Sequence, residues 1–162
     1  MTREVFKQLF DRHFDALRSY VYYRSGDQEL ATDIAQEVFM RLWEKQQELS
    51  QERITGLLYK MAGDLFVSKY RRMKTEKKAM EKIGLHFQVQ TSGEDQLQYE
   101  ELKNNYEKAL AQLPEKQRIV FLMSRMEELK YAEIAQRLHI STKAVEKRMT
   151  KALQSLRNAM GA

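Results

Sequence analysis

Apolar residues recur at three- and four-residue intervals along almost the whole chain, and this spacing limits the possible folds more than any other feature. The first apolar run contains seven residues: Val5, Phe6, Leu9, Phe10, Phe14, Leu17 and Val21. Strands alternate with a period of two and helices with one of 3.6, so the pattern predicts helices and no strand. Gly26 is predicted to end the first helix and Asp27 to cap the second. We therefore expect an all-α protein.

The periodicity fails between residues 84 and 98, a stretch with two glycines and four glutamines. We interpret this stretch as an interdomain linker, with a packed surface loop as the alternative. The prediction is thus two small helical domains, 1–83 and 99–162, joined by the linker 84–98. Pro114 is predicted to end one helix of the second domain and to open the next in its first turn.

Several classes of protein are disfavoured by composition. Cysteine is absent, and the three histidines, His13, His86 and His139, lie far apart, so neither a disulfide nor a metal site is expected. No apolar run approaches the ~18 residues that cross a bilayer, and charged residues interrupt the start of the chain. We expect a cytoplasmic protein that does not insert into a membrane and that has no cofactor.

Positive charge is concentrated in two clusters within a net charge of +5. Residues 69–82 contain seven cations: Lys69, Arg71, Arg72, Lys74, Lys77, Lys78 and Lys82. Residues 137–157 contain six cations and a single acid, Glu146. Two such clusters indicate two contacts with a polyanion, although solvated helix faces would look the same.

Residues 131–151 have the pattern of a helix-turn-helix. Ile134 and the small Ala135 allow two helices to approach closely, and Ser141 or Thr142 is placed to cap the second helix. The turn position at His139 requires a positive φ, which histidine tolerates better than most residues. The outward side chains of the second helix would be Thr142, Lys143, Glu146, Lys147, Thr150 and Lys151. A plain helical hairpin is the alternative.

Two segments of the first half carry further signals. Asp33 and Glu37 lie four residues apart and so share a helix face, which suits either acid–base catalysis or a solvated or protein-binding surface. Without a partner histidine, the surface is favoured. Residues 57–78 mix cations with aromatics that are suited to stacking on unpaired bases. Phe66 is better explained as a core residue. For Tyr59 and Tyr70, both a core position and a base-stacking role are alternatives.

The sequence resembles the compact sigma factors of the extracytoplasmic-function type. DQELATDIAQEVFMRLWEK is similar to the polymerase-binding part of sigma region two. ITGLLYKMAGDLFVSKYRR is similar to the helix that binds the minus-ten promoter element. The segment from Leu110 to Arg157 is similar to region four, which reads the minus-thirty-five element. All three occur in the family's order.

The resemblance implies roles for particular residues. The polymerase-binding set would be Asp33, Gln36, Glu37, Arg41 and Leu42. The minus-ten DNA set would be Lys60, Asp64, Lys69, Tyr70, Arg71 and Arg72. The minus-thirty-five DNA set would be Thr142, Lys143, Glu146, Lys147, Arg148 and Lys151. The loop around residues 47–56 would help to pocket a flipped base.

The implied partners are RNA polymerase core, promoter DNA and an anti-sigma factor, which in this family is commonly membrane-associated. Asp64, Leu57 and Glu146 depart from the residues usual in the family, so the resemblance implies no particular promoter sequence. Glu146 can accept a hydrogen bond from a cytosine amino group, or pair with a nearby cation. The alternatives are a stand-alone helix-turn-helix regulator, which binds duplex DNA without polymerase, and a helical-bundle enzyme, for which no catalytic residue set is found.

Overall fold

The computed structural model describes residues 1–46, 50–76, 87 and 96–161, and at 51, 52, 73–76 and 96 it describes the helical backbone. The described residues form helices and no strand. The helices are α1 (Arg3–Ser25), α2 (Gln28–Lys45), α3 (Gln51–Glu76), α4 (Gln96–Gln112), α5 (Glu115–Glu127), α6 (Tyr131–Leu138) and α7 (Thr142–Ala159). They form two compact units, the first containing α1 to α3 and the second containing α4, α5, α7 and most of α6. The predicted all-α class is confirmed.

The helix ends of the first unit follow from short-range chemistry. Gly26 has φ 68°, the left-handed conformation that glycine adopts without steric cost, and its N–H donates to Tyr22 O at 2.7 Å. Asp27 then accepts a hydrogen bond from the N–H of Leu30 at 3.1 Å and so caps α2. Both predictions about this turn are confirmed.

The core of the first unit lies where α1 and α2 pack on each other and on α3. Its fully buried side chains include Leu17, Val21, Ala31, Ile34, Val38, Leu58 and Ala62. Phe39 is surrounded by rings, with the Phe10 centroid at 5.2 Å and those of Phe6 and Phe14 at 6.1 Å. The sequence placed Val5 and Phe10 in the same apolar run, yet both side chains are partly exposed to solvent.

In the second unit, α7 packs on α5 and α4. Leu110, Val120, Met123, Val145 and Ala152 form its buried interior. The carbonyl of Pro114 accepts from the N–H groups of Gln117 and Arg118, so this proline is the N-cap of α5. The prediction that it lies in the first turn was therefore wrong by one residue.

The turn between α6 and α7 is the one that a helix-turn-helix requires. His139 has φ 57°, as predicted, and the N–H of Ile140 donates to Ala135 O at 3.1 Å. A left-handed residue followed by this six-to-one hydrogen bond is a Schellman motif. Ser141, one of the two predicted caps, accepts from the N–H of Ala144 at 3.0 Å and starts α7. The turn and the cap thus depend on contacts within the short segment from Ala135 to Ala144.

Within the predicted linker, Phe87 and residues 96–98 are described. Phe87 is buried, and the guanidinium carbon of Arg118 lies 5.3 Å from its ring centroid. The buried Arg118 also donates to Leu113 O at 3.0 Å, which satisfies a carbonyl at the end of α4. At Phe87 the segment is packed, as the alternative interpretation expected. Helix α4 begins at Gln96, three residues before the predicted start of the second domain.

Candidate functional site

The outward surface of α2 carries most of the predicted polymerase-binding residues. Asp33, Gln36 and Arg41 are exposed and Glu37 is partly exposed. Leu42 is only 1% exposed because it points into the core between α1 and α3, so its assignment to a partner-binding surface was wrong. We call Asp33, Gln36, Glu37, Met40 and Arg41 the α2 face.

Met40 is the residue on this face that the sequence analysis missed. Its side chain is 62% exposed, the highest value among the large apolar side chains that the structure describes in the first unit. It lies seven residues after Asp33 and four after Gln36, and these spacings place all three on the same side of a helix. The signal for this exposed residue was therefore present in the helical register.

The Glu37 carboxylate forms ion pairs with two cations. Its carboxylate lies 3.3 Å from Arg41 Nη2 within α2 and 3.2 Å from Lys69 Nζ of α3. Burial raises the pKa of the Glu37 carboxyl, but the hydrogen bonds and charges of Lys69 and Arg41 outweigh this effect, so the pKa lies below its usual value of 4.5. This acid is therefore part of a bridge between α2 and α3.

Helix α3 separates the predicted minus-ten residues onto different sides. At about 100° per residue, Lys60, Asp64 and Arg71 fall within about 40° of one another, whereas Lys69 points the opposite way, towards α2. Lys60, Asp64, Arg71 and Arg72 are exposed. The structure therefore brings three of these residues together and holds Lys69 away from them.

The aromatic residues of α3 divide between core and surface. Phe66 is buried, as favoured from the sequence, and Tyr59 is buried as well. Tyr70 is 49% exposed and stacks on Phe66 at a centroid distance of 5.6 Å. The guanidinium of Arg24 lies 4.6 Å from the other ring of this pair, Phe66, which orders the stack from the α1 side.

Two predicted DNA-binding features extend beyond the described side chains. Lys74, Lys77, Lys78 and Lys82 of the first basic cluster lie outside them, as do residues 47–49 of the predicted base-flipping loop. From Gln51 onward that loop is already part of α3, and Ile54 is buried in the core. Its assignment as a loop through Gly56 was therefore wrong.

Helix α7 presents the predicted minus-thirty-five residues. Thr142, Lys143, Glu146, Lys147 and Lys151 are exposed, and Arg148 is partly exposed on the flank nearer the core. Lys143, Lys147 and Lys151 follow one another at steps of four residues and form a cationic stripe along one side. Val145, Met149, Ala152 and Leu156 are buried on the other side and hold the helix in place.

Other kinds of site find no support in the described part of the chain. No group of three metal-ligating side chains occurs there. None of its helices is both long and apolar enough to span a membrane. The surfaces of α2, α3 and α7 thus remain the places where the sequence-predicted residues are displayed.

Comparison with known proteins gives two family matches in one chain. The family Sigma-70 region 2 matches residues 9–75, which include α2 and almost all of α3. The family Sigma-70, region 4 matches residues 103–156, which include the helix-turn-helix. Together they account for most of both units, in the order found from the sequence.

Individual relatives agree along nearly the full length. The chain is 26% identical to the ECF RNA polymerase sigma factor SigW of Bacillus subtilis, over 98% of this chain and 90% of that protein. It is 28% identical to the ferric citrate uptake sigma factor FecI of Escherichia coli, over 92% and 87%. Its fold is similar to that of the sigma factor RpoE of Bartonella quintana, solved in complex with the anti-sigma factor NepR. There the TM-score is 0.65 at 22% identity, over 98% of both chains. The chain therefore belongs to the sigma-70 family, as a sigma factor of the extracytoplasmic-function type.

Proposed function

We propose that this sigma factor contacts RNA polymerase core through the α2 face, unpaired promoter DNA through α3, and the upstream promoter element through α7. The observation that carries the proposal is the occurrence of both sigma-70 regions in one chain, each with its predicted contact residues mainly on the surface. The chain lends recognition to the polymerase and makes or breaks no covalent bond itself. Its place of action is then the cytoplasm.

The α2 face suits a protein partner. An exposed apolar side chain among polar and charged ones is the usual composition of an interface anchor with its rim. Met40 would supply the apolar contact, and Asp33 and Gln36 would surround it. Glu37 would act partly by holding α2 in register with α3 through Lys69, and Arg41 would support it by pairing with Glu37.

The exposed surface of α3 suits single-stranded DNA. Tyr70 offers a ring that is supported from below by Phe66, and stacking on such a ring contributes about 1–3 kcal/mol per base. Extruding a base costs a few kcal/mol, so stacking alone does not open a duplex. The proposal therefore needs the polymerase to hold the DNA while α3 retains the unpaired strand.

The cationic stripe of α7 suits duplex DNA. Lys143, Lys147 and Lys151 make no ion pair with any described residue, so their charges are available to phosphates. Phosphate contacts would set the register of the helix, and base contacts from its exposed first turns would set the sequence preference.

A protein inhibitor is a further expected partner. The similar fold of RpoE was solved bound to an anti-sigma factor. We extend the proposal to an inhibitor of that class, membrane-associated as is common in the family, which would compete for the surfaces that polymerase and DNA use.

The proposal is tested by run-off transcription with purified polymerase core over a library of promoter fragments. Addition of the chain should start transcription at a defined subset of fragments. Asp33→Lys should reduce core binding, whereas Asp11→Lys, the same reversal at an exposed site on α1, should not. If the chain alone shifts duplex DNA and never changes where polymerase starts, it is a stand-alone regulator and the proposal is wrong.

A further inference from the structure

Glu146 is the only acid in α7 and lies within its cationic outer surface. Lys143 precedes it by three residues and Lys147 follows directly, and both are exposed. A carboxylate here works against the attraction that the neighbouring lysines exert on a polyanion. The question is therefore what this side chain contributes.

Structural roles do not account for it. An acid stabilises a helix through the dipole when it lies in the first turn, but Glu146 is the fifth residue of α7. Its carboxylate makes no ion pair with any described residue, although Lys143 is at the spacing where such pairs form. The hydroxyl of Thr150 donates to the backbone carbonyl of Glu146 at 2.9 Å and not to its carboxylate.

The electrostatic cost of this arrangement would be felt on DNA. Duplex DNA carries a negative charge about every 1.7 Å along its axis, so an unpaired carboxylate at the contact surface opposes binding to every sequence equally. That cost is offset only where the carboxylate meets a hydrogen-bond donor. In the major groove the donors on base edges are the amino groups of cytosine and adenine.

The two amino groups are not equivalent for a carboxylate. The cytosine amino group is the groove-facing polar group of its base, whereas the adenine amino group lies beside the acceptor N7. Guanine and thymine present acceptors, which repel a group that can only accept. The expected order of base preference at Glu146 is therefore cytosine first, adenine second, and guanine and thymine last.

We propose that Glu146 determines promoter specificity by selecting cytosine at one position of the upstream element. It does so by accepting a hydrogen bond from the cytosine amino group and by repelling guanine and thymine at that position. This inference rests on the proposed function of α7 as the reader of that element. It assigns one base to one residue of the exposed surface of α7.

The experiment is run-off transcription by reconstituted holoenzyme on templates in which the upstream element is randomised, with sequencing of the transcribed templates. The variants are Glu146→Gln, which keeps size and helix propensity, and Glu101→Gln, which makes the same charge change at an exposed site on α4. The wild-type holoenzyme should enrich cytosine in one column by about five- to 150-fold, the range that corresponds to about 1–3 kcal/mol per mismatched base pair.

In Glu146→Gln, that column should lose cytosine and shift towards adenine, whose N6 and N7 match an amide. The other columns should not change, and Glu101→Gln should behave as wild type. The glutamine variant should also bind templates without the cytosine more tightly than wild type does, because a negative charge no longer faces acceptors.

The outcomes separate this inference from the proposed function. If other columns are enriched but no cytosine column responds to Glu146→Gln, α7 reads DNA and the assignment to Glu146 is wrong. If polymerase starts at chosen sites with no preference anywhere in the upstream element, the proposed role of α7 itself fails.

Discussion

Helices α2 and α7 are both 18 residues long and both display predicted contact residues, but they treat charge in opposite ways. On α2, Glu37 is bridged to Arg41 and to Lys69 of the neighbouring helix. On α7, neither Glu146 nor the lysines of the cationic stripe has an ion-pair partner among the described residues. A surface on which part of the charge is already paired depends more on shape for its binding, whereas an unpaired surface depends on the charge of its partner and on salt. The α2 face is therefore suited to a protein and α7 to a polyanion.

The strongest test of the conclusion about α2 compares a substitution at a buried residue of this helix with one at an exposed residue. Leu42→Ala should destabilise the first unit by about 2–5 kcal/mol, because it leaves a cavity in a packed core. Met40→Ala should change the stability by less than about 0.5 kcal/mol, since the side chain is exposed. Trp43 is the only tryptophan, so its fluorescence during urea unfolding reports on this unit.

The order of the two effects should be reversed for polymerase binding, measured under conditions in which both variants are folded. Met40→Ala should weaken it, and Leu42→Ala should affect it little once the folded fraction is taken into account. A Leu42→Ala protein that stays fully stable yet loses core affinity would mean that Leu42 is a contact residue after all.

Removal of the N-cap side chains of α7 and α2 should have the next largest effect on stability. Ser141→Ala removes the side-chain acceptor at the start of α7 and should cost about 1 kcal/mol, and Asp27→Ala should cost as much at α2. Only Ser141→Ala should weaken the binding of upstream-element DNA by holoenzyme. Equal effects of both variants on that binding would mean that cap loss acts through general unfolding.

Salt dependence distinguishes free from paired cations. Lys151→Ala should reduce the slope of log affinity against log salt by about 0.9, which is roughly a threefold change in affinity over a fourfold change in salt. Lys69→Ala should leave the slope unchanged, because Lys69 is held by Glu37 at 3.2 Å. A lower slope for Lys69→Ala would show that this lysine leaves its partner and contacts phosphate.

The smallest effect concerns pH. Because the pKa of Glu37 is lower in the folded protein, its ionised form stabilises the first unit above the usual carboxyl range, and this contribution is lost as the pH falls through the lowered pKa. A partly exposed pair contributes up to about 1 kcal/mol. Glu37→Gln should lack this acid-dependent part of the stability. An identical pH profile for both proteins would contradict the bridge.

Much of the fold was predictable because its determinants are local. The turn at Gly26 and Asp27, the left-handed residue at His139 and the cap at Ser141 each depend on a few adjacent residues. Helical spacing also predicted the apolar stripe of α1, of which Leu9, Leu17 and Val21 are buried. None of these features requires a contact between residues that are distant in sequence.

The remaining features depend on how helices meet. The resemblance implied a partner contact for Leu42, but the side of α2 that packs on α1 and α3 buries this residue and leaves Met40 exposed. The bridge from Glu37 to Lys69 joins residues 32 positions apart, so no local pattern contains it. Burial of Tyr59 depends on its neighbours in space in the same way, and its ring meets that of Tyr20 at 5.1 Å.

The left-handed turn at His139 has an evolutionary consequence. The conformation costs little for Gly, Asn, Asp or His and much more for a β-branched residue. Homologous chains should therefore draw the residue at this position from that small set whenever they keep the Schellman turn. A homologue with Val or Ile there must have remodelled the turn, and the orientation of its recognition helix will have diverged accordingly.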